Sequence, residues 1–143
     1  MPRRWAGEEG NGMFEVLQPP EWKRPKGYAN GIVARGRYVV IAGQIGWDAD
    51  ERFVSDDFVD QTRQALANVI AVLRQSGHGP ETIVRMTWYV TDMAGYRARQ
   101  AEIGAAYREV IGRHFPTMSL IGVAALAEPR AKVEIECTAV LPD

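Results

Sequence analysis

The chain has 143 residues, 46% of them hydrophobic, enough for one compact domain to bury an ordinary core without disulfides or a structural metal. Its 17 basic and 18 acidic residues leave a formal net charge of -1, and no segment gathers Lys and Arg into a phosphate-tracking stripe, so no nucleic-acid partner is expected. The single cysteine, Cys137, cannot close an internal disulfide, and with the well-separated His78 and His114 it makes no metal-ligand set.

Arg3 and Arg4 are followed by Gly7, Glu8, Glu9, Gly10 and Gly12 where a signal peptide would need an apolar stretch, and no window approaches the roughly 18 to 20 uncharged apolar residues of a membrane span. The expectation is a soluble, cytoplasmic protein with no membrane partner. Pro19-Pro20 and Pro25-Lys26-Gly27 forbid a regular helix, so residues 1–26 read as an arm leading into a domain spanning 27–143. Gly31–Ala34 and Tyr38–Ala42 are β-prone runs on either side of Arg35-Gly36-Arg37, which predicts a tight antiparallel hairpin with Gly36 at positive φ.

After Gly43-Gln44-Ile45-Gly46 and a polar loop, Ser55 or Asp56 is placed to cap a helix. Its apolar positions Phe58, Thr62, Ala65, Leu66, Val69, Ile70 and Leu73 recur at three- and four-residue steps, and Gly77 ends it. From Ile83 to Val90, the residues Val84, Met86, Trp88 and Val90 alternate with Arg85, Thr87 and Tyr89, the period of a strand with two unlike faces. Asp92 then caps a second helix predicted to run to about Arg113 with Ile103, Ala106, Tyr107, Val110 and Ile111 inward; Pro116 lies beyond its end. Ser119–Val123 is apolar on both sides, and in Ala131–Leu141 the residues Val133, Ile135, Cys137 and Ala139 alternate with Lys132, Glu134, Glu136 and Thr138.

The predicted order is β-β-α-β-α-β-β. Crossovers of one preferred hand put both helices on the same face of a single sheet. Tyr38–Ala42 and Leu120–Val123 nevertheless carry apolar residues toward both faces, and a bare apolar face in water is a sticky patch. Closed self-association of identical copies is the simplest cover at this length.

Five segments in this order resemble the reactive-intermediate deaminase (Rid) family, also called YjgF: Gly27-Tyr28, Ala42–Ile45, Gln61–Asn68, Thr91-Asp92-Met93 and Ala131–Val140. The resemblance runs from Gly27 to the C-terminus. It implies a chorismate-mutase-like α+β fold, one mixed sheet with two helices on one face, assembled as a homotrimer around a central barrel with small-molecule clefts between subunits. It further implies hydrolysis of reactive enamines and imines to a 2-oxo acid and ammonia, with no metal and no organic cofactor.

That chemistry needs a hydrogen-bonded imine nitrogen, a water held against the carbon, and a clamp on the substrate carboxylate. In the family pattern the clamp is an arginine that follows a proline and a small residue and precedes a serine; here the segment reads Pro116-Thr117-Met118-Ser119, which puts Met118 at that position. Loss of such a contact costs on the order of 2 to 5 kcal/mol for a substrate that buries a carboxylate. Three outcomes stay open: a more apolar substrate, a substitute cation such as Arg37, Arg85 or Arg130, or lost catalysis.

By motif position, Glu136 matches a family glutamate that faces the cleft and orients water. The alternative is that Glu134 and Glu136 form a solvated strand face paired with Lys132 or Arg130. Tyr28 matches a tyrosine at the cleft mouth, or else anchors the arm. Gly43 allows close backbone approach and Gln44 holds that turn, or both serve turn geometry alone. Met118 lines an apolar pocket or fills the core, with Ser119 beside it. Trp88 and Cys137 read as core, and His78 and His114 as loop and helix-end residues without a catalytic partner. Besides imine hydrolysis, the readings carried forward are a non-catalytic, ligand-holding trimer and an endoribonuclease, the latter with little support from the slightly acidic composition.

Overall fold

A computed structural model describes residues 14–142; the first half of the expected arm, residues 1–13, and Asp143 lie outside the described residues. In chain order the strands are β1 (Phe14–Leu17), β2 (Gly31–Ala34), β3 (Arg37–Ile45), β4 (Ile83–Val90), β5 (Thr117–Gly122) and β6 (Val133–Leu141). The helices are α1 (Phe58–Arg74), α2 (Met93–Ala98) and α3 (Gln100–Val110).

One mixed, four-stranded sheet in the order β3-β6-β4-β5 carries the fold. β6 is antiparallel to both β3 and β4, whereas β4 and β5 run parallel and are joined by the α2–α3 crossover. Alternation decides the faces. Ile41, Met86, Trp88, Val90, Ile135 and Cys137 point to the helical side and are buried with Leu66, Val69 and Leu73 of α1 and Ile103, Ala106 and Tyr107 of α3. The fold is the expected one, a mixed sheet with its two main helices on one side.

The opposite face carries Tyr38, Val40, Arg85, Thr87, Tyr89, Glu134, Glu136 and Ile121. No helix among the described residues covers it: Val40 is 79% exposed and Tyr38 73%.

The expected β2–β3 hairpin does not form, because β2 pairs with β1, from Phe14↔Ala34 to Leu17↔Gly31, in a separate two-stranded sheet. The reason lies at Gly36, whose φ of +146° is the positive value anticipated. A Cβ there would sit 1.8 Å from the Leu141 carbonyl oxygen. The turn is pressed onto the end of β6, so β3 pairs with β6 from Arg37↔Leu141 onward and β2 is left to an upstream strand that the proline-rich composition concealed.

Two further differences are local. Asp57, not Ser55 or Asp56, caps α1, accepting from the Asp60 amide at 3.0 Å, while Ser55 Oγ accepts from the Asp57 amide. The single helix expected from Asp92 is instead broken at Arg99 (φ -124°, ψ 29°) and ends at Val110. Arg99 reaches across to the Asp57 carboxylate at 2.6 Å and bonds Glu102 in the first turn of α3, so the break is held by two carboxylates. Asp92 caps α2 as anticipated, accepting from the Gly95 amide.

Within β4 the register is irregular between Ile83 and Arg85, so Ile83 rather than Val84 takes the fully buried position. No helix among the described residues is long and apolar enough to cross a membrane.

Candidate functional site

A cleft of about 510 Å³ opens on the helical side of β5, between the end of the arm, β4 and the α2–α3 segment. Tyr28, Met118 and Ser119 border it together, although Tyr28 stands 90 positions away in the sequence from Met118. The backbone brings them close: the Ala29 amide donates to the Pro116 carbonyl at 3.0 Å, and Ala29 forms a parallel bridge to Thr117. Thr117 Oγ1 in turn donates to the Val84 carbonyl at 2.7 Å, pinning β5 to β4.

Three aromatic rings that the sequence pattern assigns to the core or passes over build the wall. Trp88 lies 6.3 Å from Tyr107, and Tyr107 stacks on Phe115 at 5.8 Å and 14°. The Tyr107 hydroxyl donates to the His114 carbonyl, so its ring faces this wall while its polar end is tied into the loop after α3. Burial pushes the Tyr107 phenol well above its ordinary range, which keeps it neutral. Trp88 is 4% exposed, and its indole N–H has no hydrogen-bond partner among the described residues.

Charge reaches the cleft from Lys26 and from Arg108 of α3, both exposed. Of the substitute cations anticipated for the Met118 position, none borders this cleft. Arg130 pairs with Asp56 at 2.9 Å and lies 5.2 Å over the Phe53 ring, whereas Arg85 is on the other face. The signal for Arg108 was present as a helical stripe: Ile103, Gly104, Tyr107 and Arg108 share one side of α3, and the glycine leaves room for the arginine four residues on.

Gly43, Gln44 and Glu136 are not part of this cleft. They belong to β3 and β6, and Glu136 lines a smaller hollow of about 200 Å³ on the uncovered face with Val40, Arg85, Thr87 and Thr138. Glu136 is exposed and accepts from the Tyr89 hydroxyl at 2.8 Å, an interaction that raises the Tyr89 pKa. The half-buried neighbour is Glu134, whose carboxyl group packs on Gly43 so closely that a Cβ there would lie 2.6 Å from it. Gln44 donates to the Ala42 carbonyl at 3.0 Å, a bond within the turn itself.

The turn leading out of β3 is fixed from α1. Asn68 donates to the carbonyls of Ile45 and Trp47, at 2.9 and 2.8 Å. Gln61 donates to the carbonyls of Ser55 and Arg130 and accepts from the Lys132 amide. The polar positions of the Gln61–Asn68 segment therefore serve architecture. Burial pushes the Cys137 thiol up to about 12, which leaves no thiolate for nucleophilic work. Among the described residues no group of three or more His, Cys, Asp or Glu is arranged to hold a metal ion.

Residues 22–141 match the family described as Endoribonuclease L-PSP. The chain belongs to that family. It is the group also named YjgF, RutC and Rid, and the resemblance drawn from the five segments agrees with it. The chain is 34% identical over 116 residues to a 2-iminobutanoate/2-iminopropanoate deaminase of Salmonella typhimurium, covering 79% of this chain and 86% of that protein. It is 32% identical over 131 residues to a RutC family protein of Synechocystis, covering 90% of this chain and 98% of the relative. Among solved structures, the Rid family protein YyfB of Yersinia pestis superposes with a TM-score of 0.77 at 38% identity, covering 90% of this chain and 98% of that one.

Proposed function

We propose that this Rid family member hydrolyses a reactive imine or enamine, holding its organic part in the Tyr28–Met118 cleft. The observation that carries the reading is the meeting of Tyr28, Met118 and Ser119 in one aromatic-walled cleft, in a chain whose relatives include an imine deaminase. The reaction balances with water alone: water adds to the C=N carbon, the nitrogen gains a proton, and the resulting carbinolamine loses ammonia as the C=O bond forms.

Hydroxyl groups at Tyr28 and Ser119 serve to orient the nitrogen or the water. The carboxylates able to carry a proton, Glu134 and Glu136, lie on the opposite face of the sheet, where Gly43 packs against Glu134. On this reading the site is completed by another copy of the chain, in a homotrimer that seats the uncovered face of one subunit against the cleft of the next. The exposed Tyr38 and Val40 on that face support such a contact, since apolar surface of this kind is commonly an interface.

The test is release of ammonia and a carbonyl product from a panel of freshly generated imines, with and without a carboxylate. The expected result is turnover by the parent protein and a drop of about 10²-fold or more in Glu134→Gln or Glu136→Gln, the ordinary loss on removing a proton carrier. Silence across the whole panel from assembled protein would remove the hydrolase reading. Stabilisation by a carbonyl product without turnover would indicate a holding module instead. Cleavage of single-stranded RNA by the same preparation, abolished by the same variants, would favour the activity in the family's description.

A further inference from the structure

We infer that Arg108 is the anion clamp of this cleft, and that the cleft takes an imino acid with an aromatic side chain. The inference rests on the cleft being the substrate site. It goes beyond that reading by naming the residue that replaces the β5 arginine position and the class of substrate that follows.

Position comes first. Arg108 borders the same cleft as Met118, and its guanidinium lies over Gly104 one turn earlier, where a Cβ would come within 3.3 Å of Nη1. A side chain at 104 would press on the arginine, which would have to shift by a few tenths of an ångström. Two other helical arginines are committed elsewhere: Arg63 binds Asp60 and Glu109, and Arg99 binds Asp57 and Glu102. The Arg108 side chain has no ion-pair partner among the described residues. A planar fork left unpaired at the rim of an apolar cleft is suited to a carboxylate, which it meets with two parallel bonds.

Size and wall chemistry then select the rest of the ligand. A volume of about 510 Å³ is far more than a two- or three-carbon imino acid fills, and Trp88, Tyr107, Phe115 and Met118 offer ring faces and a thioether. An aromatic 2-imino acid presents its ring to the wall, its carboxylate to Arg108 and its nitrogen to the mouth near Tyr28.

The experiment measures binding of three stable probes to the assembled protein by titration calorimetry: phenylpyruvate, pyruvate, and the uncharged ketone phenylacetone. Phenylpyruvate is expected to bind about ten-fold or more tightly than either of the others. Arg108→Gln should bring phenylpyruvate down to the level of phenylacetone without changing phenylacetone, and Arg108→Lys should recover part of the loss. Circular dichroism of the exposed-site variants should match the parent. Equal binding of phenylpyruvate by Arg108→Gln, or binding of pyruvate as tight as that of phenylpyruvate, would overturn the clamp.

Turnover assays separate this result from the hydrolase reading. Imine hydrolysis whose KM for the phenylalanine-derived imine is unmoved by Arg108→Gln defeats the clamp and leaves the reaction. Arg108-dependent phenylpyruvate binding without hydrolysis leaves the clamp and defeats the reaction.

Discussion

His114 shows how a residue without a role in the chemistry still sets a pH limit. It sits in the loop between α3 and β5, its Nε2 within 2.8 Å of the Ile83 carbonyl, while its own carbonyl accepts from Tyr107. Burial lowers its pKa below the ordinary value of 6.5, so the folded chain prefers the neutral ring. The contribution to stability is therefore complete above pH ~6.5, where both states are neutral, and shrinks as pH falls below ~6.5 and the unfolded chain takes up the proton first. Urea midpoints measured at pH 7.5 and 5.5 should show this loss, and His114→Gln should flatten that interval. An unchanged slope in the variant would assign the pH dependence to other groups. Cys137 was legible from its sequence alternation with Ile135 and Ala139. So was Trp88 as a core residue, whereas the role of His114 was not, since it depends on partners far away in the chain.

At the scale of elements, what the sequence reveals is periodicity, and what it conceals is long-range polar tethering. The stripe on α1 and the alternation in β4 and β6 identified most of the core because burial repeats at 3.6 and 2 residues. The break at Arg99 was hidden, since Arg99, Asp57 and Glu102 read as ordinary surface charges until α1 and α3 are packed together. Strand β1 was hidden for a different reason: Phe14–Leu17 is short, and the proline-rich stretch that follows it masks its pairing with β2. The same distinction applies at Asn68, whose amide holds two carbonyls of the turn after β3. Asn68→Ala leaves those carbonyls to find water or go unpaired, at a cost of roughly 1–3 kcal/mol. Thermal or urea denaturation should report that loss, and amide exchange should speed up around Gly43–Trp47. A stable variant with an unchanged turn would show that the amide is dispensable.

For the molecule as a whole, the decisive fact is that one sheet face is packed by helices and the other carries Tyr38 and Val40 into solvent. Sequence reasoning reached this asymmetry by counting layers: two helices on one side cannot shield both faces. It could not divide the candidate residues correctly, because Tyr28, Met118 and Ser119 meet across the arm and β5 while Gly43, Gln44 and Glu136 stay with β3 and β6. Val40 tests the consequence. It is 79% exposed in the single chain, so Val40→Glu should change the stability of an isolated subunit by no more than about 0.5 kcal/mol. If copies of the chain bury this face against one another, the same substitution forces a carboxylate into an apolar contact and should dissociate the assembly. Sedimentation is expected to find trimers of the parent and folded monomers of Val40→Glu at micromolar concentration, with imine turnover lost alongside assembly because the two halves of the site part company. A monomeric parent, or a variant that assembles as the parent does, would mean that the cleft beside Met118 works without a neighbour and that its proton carriers must be sought on the helical side of the sheet.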